Sequence, residues 1–377
     1  MDKYLKYKIK YMKMKAGSSN MHVGTSSSDM AVETSSSDMA DKTSIEIKDE
    51  NGSIYTSDEN HFYKKEGEIV DGFSGILFYR KKGEETLHQY FRGKINEGKL
   101  SGTLYSGSFL STDDGPLLNG RGKIFKLTNG IVTECSIGDF SEGKGNGQFT
   151  VQYIEEKNET LYKGDYLNNL RHGTGKFTIH DDGKKKYEFN GLWFQGNRHG
   201  HGNAKYFSDD GTTIIKTFDG IYEDNQRNGS GIEKTFTADG TIIKTFDGNY
   251  VDNQRNGHGN EVTYNADGTT IIKTFDGNYV NDQRHGKGVE ITYNDDGTII
   301  KTFKGIYVNG KRDGYGKEVT YNADGTITEF SGIFQSDERH GDGTETTLNK
   351  SRKMINIKEA IWTHNVITTI LSELTEP

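Results

Sequence analysis

The run Phe275–Gly288, F-D-G-N-Y-V-N-D-Q-R-H-G-K-G, decides how this chain folds, because its frame returns six more times. Counting the first glycine as zero, aromatics stand at minus two and plus two, an arginine at plus seven, and glycines at plus nine and plus eleven. The zero glycines are Gly164, Gly191, Gly220, Gly248, Gly277, Gly305 and Gly332. The arginines are Arg171, Arg198, Arg227, Arg255, Arg284, Arg312 and Arg339, and no slot is missed. Self-similarity at a near-constant step marks a repeat array and outranks any local motif.

The frame reads as strand. In an extended chain alternate residues share a face, so the two aromatics and the glycine midway between them lie on one side. Upstream, T-I-I-K-T-F-D-G at Thr241–Gly248 is rich in β-branched residues, which favour pleated backbone. Beyond the second glycine, V-E-I-T-Y at Val289–Tyr293 alternates, placing Val289, Ile291 and Tyr293 together. Each copy is therefore two strands. The joints agree: Y-N-A-D-G-T at Tyr264–Thr269 and Tyr321–Thr326, and N-G-K-R-D-G at Asn309–Gly314, supply the Asn, Asp and Gly of tight turns. Two tight joints per copy give an antiparallel meander.

The stretches G-L-W-F-Q-G-N-R-H-G-H-G at Gly191–Gly202 and G-I-Y-V-N-G-K-R-D-G-Y-G at Gly305–Gly316 resemble the MORN repeat (membrane occupation and recognition nexus). That family's pattern is Y-x-G-x-W/Y-x-x-G-x-x-x-G-x-G, and the resemblance runs from Tyr162 to Gly343. The chain departs from it at plus five, where glycine survives only at Gly196 and Gly310, and most copies are longer than the usual unit. The expected fold is all-β: an elongated antiparallel meander of tandem two-stranded repeats, with a C-terminal capping helix and a disordered N-terminal tail. A lone copy buries too little to offset the entropy of ordering it, so neighbours must supply the rest.

Composition fits a thin sheet with one wet face. Gly counts 48, Pro 2, and apolar residues make only 31%. A net charge of -8 argues against nucleic acid as a partner. The single cysteine, Cys135, excludes an intrachain disulfide framework. No run reaches the roughly 20 apolar residues of a transmembrane helix, and no signal-peptide pattern opens the chain. The expected location is cytoplasmic (host cytoplasm or virion if viral), with peripheral membrane attachment as the alternative.

The opening, residues 1–15, reads MDKYLKYKIKYMKMK. It reads as a basic arm that stays disordered until an acidic surface meets it, or as an anchor for anionic membrane or a docking helix. It also resembles the Lys/Tyr-rich openings of proteins from giant DNA viruses. Residues 16–60 form a Ser/Thr-rich linker that repeats S-S-S-D-M-A at Ser26–Ala31 and Ser35–Ala40. Degenerate copies of the frame fill 61–161, with Ser111–Asn119 as an insert that lengthens one turn. Regular copies fill 162–350. Residues 351–377 read as an amphipathic helix: Asn356 and Glu359 are spaced as a capping box, and Ala360, Ile367, Leu371 and Leu374 fall near one face. Such a helix would cover the last strand's open edge.

The candidate anion- or partner-binding residues are the seven arginines above with Lys6, Lys8, Lys10 and Lys13 of the arm. A row of guanidinium groups suits phosphates or acidic partners. Against this stands local pairing with Asp224, Asp252, Asp282 or Glu338 near the same joints. Lys216, Lys244, Lys273 and Lys301, four before zero, make a second row. Histidines at plus eight, His172, His199, His285 and His340, stand a repeat apart, too far to share one metal ion. G-D-F-S-E-G-K-G at Gly138–Gly145 lacks the Ser/Thr and the helix of a phosphate loop. No nucleophile elbow, zinc-protease or kinase motif occurs. The sequence therefore reads as non-catalytic, without cofactor or metal: a scaffold for a protein partner, or, as the alternative, an adaptor on anionic phospholipid.

Overall fold

The computed structural model describes residues 45–49, 54–57, 62–64, 73–80, 86–96 and 99–375. The basic arm and most of the Ser/Thr-rich linker lie outside the described residues. Among those described there are 25 strands and no helix. They fall into two compact units: one takes the chain to Glu156 plus Tyr166–Asn169, the other Lys157–Asp165 and everything from Leu170.

In the first unit, the strands Phe73–Arg80, Leu87–Asn96, Lys99–Thr112, Gly115–Thr128, Ile131–Ser141 and Lys144–Glu155 follow one another as an antiparallel meander. Short strands at Ile45–Asp49, Ile54–Ser57 and Phe62–Lys64 pair in the same sense at its start. Its core is Phe91, Ile95, Leu104, Leu118, Phe125, Phe140 and Phe149. The glycines of this stretch meet in register, Gly93 opposite Gly102 and Gly122 opposite both Gly107 and Gly138. The expected long turn over Ser111–Asn119 is instead a pair of longer strands. Thr112 faces Gly115 and Ser111 faces Pro116, so only Asp113 and Asp114 remain in the turn.

The second unit contains the regular repeats, and its type copy is Ile271–Val280 with Gln283–Tyr293. Gly277 lies opposite Gly288, and Gly288 lies opposite Gly305 of the next copy. The same relation links Gly191, Gly202, Gly220, Gly231, Gly248 and Gly259, so a glycine row crosses the sheet. A β-bulge between the zero glycine and the plus-two aromatic recurs in these copies. Above the row lie the minus-two rings. A Cβ on Gly277 or Gly288 would sit 2.7 or 2.5 Å from Phe275 Cζ, so both positions need glycine.

The departure from the family pattern at plus five has a structural reason. That residue turns the hairpin with positive φ: 72° at Asn225, 71° at Asn253, 66° at Asp282 and 74° at Asp337. Asn and Asp tolerate this conformation better than other side chains. They also add a bond glycine cannot make: Asn253 Oδ1 accepts the Arg227 N–H at 2.9 Å, and Asp282 Oδ1 that of Arg255 at 2.8 Å.

The predicted C-terminal helix is replaced by a hairpin, Met354–Thr363 and Val366–Thr375. Ile355, Ile357, Ile361, Thr363, Val366, Ile367, Thr368, Thr369 and Ile370 are β-branched and favour strand, while His364 and Asn365 (φ 50° and 64°) make the turn. Asn356 and Glu359, read as a capping box, lie inside a strand. The hairpin continues the array: Ala360 takes the zero position opposite Gly343, and Trp362 packs on Phe330 at 5.3 Å. Lys358 stands at minus two, where the regular copies carry a ring. Among the described residues no helix covers the final strand, where Val366, Ile370, Leu371 and Leu374 are exposed.

Candidate interaction surface

One face of the second unit is built on rings. From Phe189 onward each minus-two ring touches the plus-two ring of its own repeat and of the next, edge to face: Phe275 meets Tyr279 at 5.5 Å and Tyr307 at 5.1 Å. The chain of contacts runs from Tyr162 through Trp193, Phe189, Tyr222, Phe218, Tyr250 and Phe246 to Phe330 and Trp362. Edge-to-face pairs of this kind add about 0.5–1.5 kcal/mol each beyond the area they bury. Rings in a one-layer sheet need a lid, and the arginines provide it. Arg284 Cζ stands 4.1 Å from the Phe275 centroid, Arg255 4.2 Å from Phe246 and Arg339 4.5 Å from Phe330.

These guanidinium groups are spent inside the array. Glu261 Oε2 accepts bonds from Arg255 Nη1 at 2.7 Å and Lys244 Nζ at 2.8 Å, and its Oε1 accepts one from Arg284 Nη2 at 3.0 Å. Glu233 receives Arg227, Lys216 and Arg255, and Glu318 receives Arg312, Lys301 and Arg339. Glu290 takes Arg284 and Lys273, and Glu345 takes Arg339. Burial works to raise the carboxyls of Glu233, Glu261 and Glu318. The cations around them more than offset it, leaving each below its ordinary value.

Of the arginines expected to bind anions, Arg227, Arg255, Arg284, Arg312 and Arg339 are thus ion-paired, with side chains only 14–19% exposed. Their main partners are not the turn residues. Asp282 accepts a backbone N–H, Asp224 lies 3.8 Å from His199, and Glu338 bonds to His364 at 2.5 Å. Only Arg312 adds a turn carboxylate, Asp337 at 3.4 Å. The lysine row belongs to the same network. The glutamates stand two residues after the plus-eleven glycine, and so on the ring face by alternation, a signal open to reading from the sequence.

Two arginines have no glutamate, because Phe177 and Ala204 fill its slot. Arg198 bonds instead to Tyr187 Oη at 2.5 Å and the Asn225 carbonyl at 2.6 Å. Arg171 lies among Tyr162, Phe177 and Trp193 at 5.0, 4.8 and 5.0 Å. Lys6, Lys8, Lys10 and Lys13 lie outside the described residues. Of the plus-eight histidines, His172 and His199 flank Phe194 and His340 packs on His364. Among the described residues no cluster of His, Cys, Asp and Glu is placed to hold a metal ion.

The opposite face is different. Leu192, Ile221, Ile232 and Ile333 are 36–42% exposed, and Tyr315 is 61% exposed. Register sets two of them among polar residues, Ile221 opposite His201 and Ile232 opposite both Asp219 and Asp247, while Tyr315 lies opposite Ile333. Between them stand exposed polar pairs, His201 with Asp219 at 2.8 Å and His258 with Asp276 at 2.7 Å. A shallow depression collects His201, Asp219, Ile221, Ser230, Ile232 and Asp247.

No curated protein sequence matches the chain. The family model for the MORN repeat matches residues 162–184, 189–212, 218–235, 246–265, 275–296 and 303–324, the first five of which open on the minus-two aromatic of a copy, as does the last. The seventh copy, Phe330–Gly343, keeps the same register beyond these matches. The chain therefore carries six MORN repeats between residues 162 and 324.

Proposed function

We propose that this chain is a non-catalytic scaffold that binds a protein partner on the open face of its second unit. MORN repeats are commonly protein- or membrane-interaction modules. The observation that carries the choice is the split between the faces. The recurring cations are consumed by glutamates of the array, whereas Leu192, Ile221, Ile232, Tyr315 and Ile333 stay exposed in register on the other side. Exposed apolar side chains interspersed with polar neighbours suit a protein surface. Enzymatic chemistry finds little support, since residues that recur in copy after copy serve packing and pairing. A cytoplasmic location belongs to the same proposal, and the free Cys135 is compatible with it.

The anionic-lipid alternative draws no strength from the arginines, whose donors are mostly engaged, and rests on the lysines of the arm. Among the described residues, no helix is long and apolar enough to cross a membrane.

The test is affinity capture with the full chain and with an Ile221→Lys, Ile232→Lys, Ile333→Lys variant of unchanged melting temperature. Partners lost from the variant support the open face. Partners kept by it, and lost only when Lys6, Lys8, Lys10 and Lys13 become Gln, move recognition to the arm.

A further inference from the structure

We propose that Arg171 is a receptor for a carboxylate, supplied by an acidic segment of a bound protein. The repeats themselves define what this position lacks. In the later copies an arginine at plus seven rests on the minus-two ring and gives its N–H groups to glutamate oxygens, as Arg255 does to Glu233 at 2.9 Å and Glu261 at 2.7 Å. Arg171 keeps the ring contacts, with Tyr162, Phe177 and Trp193 all within 5.0 Å of its Cζ. The glutamate slot of its repeat holds Phe177. Among the described residues no ion pair or side-chain hydrogen bond reaches its guanidinium, whereas the donors of Arg198 are taken by Tyr187 and Asn225.

Stacking against rings satisfies the faces of a guanidinium, not its five N–H donors. A planar cation held in place by three rings has already lost the side-chain freedom that a salt bridge normally costs. A carboxylate arriving at its edge then meets a preorganised, weakly hydrated fork. The downstream copies show that this fold accepts two carboxylate oxygens around such a cation. Arg171 is only half-buried, so solvent reaches part of the residue.

This inference rests on the scaffold reading and adds to it one contact on the ring face, the side opposite the open one. Trp193 is the reporter, because its ring touches Arg171 and the chain has only two tryptophans. In the full chain carrying Trp362→Phe, hexaglutamate peptide should change Trp193 emission saturably, with inorganic phosphate titrated in parallel. Arg171→Gln should abolish the change. Phe177→Glu should weaken it at least ten-fold, because the chain then supplies its own carboxylate as in the later copies. Unchanged melting temperatures qualify each variant. A missing response, a response that survives Arg171→Gln, or one given by phosphate and not by the peptide overturns the assignment. Capture of partners that depends on the open face would still stand after such a result, so the two failures are distinguishable.

Discussion

Arg284 and Glu261 belong to consecutive repeats, and Arg284 Nη2 lies 3.0 Å from Glu261 Oε1. The contact ties one copy to the next with charge, on top of the ladder bonds that tie them through backbone. Glu261 is 6% exposed and holds three cations. Removing one member of a buried ion network leaves the others uncompensated and costs about 3–5 kcal/mol. Glu261→Gln should sit at the low end, since Lys244 is 38% exposed and turns to water. Urea unfolding should show the loss, and hydrogen exchange should place it in the strands from Ile242 to Tyr293. The exposed Glu156→Gln should change stability by less than about 0.5 kcal/mol.

The same carboxyls set an acid limit. Those of Glu233, Glu261 and Glu318 are depressed in the folded chain: burial opposes ionisation, but the bonded lysines and arginines outweigh it. A depressed folded value means the stabilisation is fully present above the unfolded glutamate value of about 4.3 and disappears as pH falls through the lower folded values. The melting temperature should therefore stay level from about pH 7 to pH 5 and drop below about pH 4. A Glu233→Gln, Glu261→Gln, Glu318→Gln variant should start lower and fall less in acid.

Cys135 offers a probe of the first unit. Burial pushes its thiol from 9.0 up to about 11, with Lys123 opposing. Because the thiolate is the reactive form, two units remove roughly 99% of it at neutral pH. Reaction with a disulfide reagent at pH 8 should be about a hundred-fold slower in the folded chain than in urea. Equal rates in both would show that the strand Ile131–Ser141 opens readily.

The all-β meander and its register were legible because glycine and ring recur with period two inside each strand and with a fixed step along the chain. The glutamates escaped notice for a specific reason. Glu261 is remote in sequence from Arg284, and only the pairing of Gly259 with Gly277 carries its side chain toward the next repeat. The turn acids looked like the partners because they are neighbours in sequence, yet Asp282 takes a backbone N–H and Asp224 and Glu338 lie against His199 and His364. The C-terminal error came from weighing apolar spacing above residue type: Ile367, Leu371 and Leu374 fit a helical face, but the β-branched run around them does not favour helix. A wet face was readable from composition, but not which apolar residues would stand on it: Ile221 and Ile232 look like core residues until their exposure is seen.

Glycine at plus eleven is the position where the fold tolerates least. A Cβ on Gly288 would lie 2.5 Å from Phe275 Cζ and 2.6 Å from its Cε2, while φ is not in the left-handed region. The obstacle is thus the ring alone. Phe275 cannot withdraw freely, because Tyr279, Tyr307 and Arg284 surround it. Gly288→Ala should cost about 1–3 kcal/mol through overpacking. Gly297 poses the opposite problem: nothing lies within 4 Å of its added Cβ, but φ is 81°. Gly297→Ala should cost about 1–2 kcal/mol from backbone alone. The two are separated by a second change. Phe275→Leu in the Gly288→Ala background should recover part of the loss by vacating the contact, and Phe275→Leu should give Gly297→Ala no relief. Unfolding midpoints for the four variants decide it, and equal, additive losses in both backgrounds would mean that the ring is not what demands glycine.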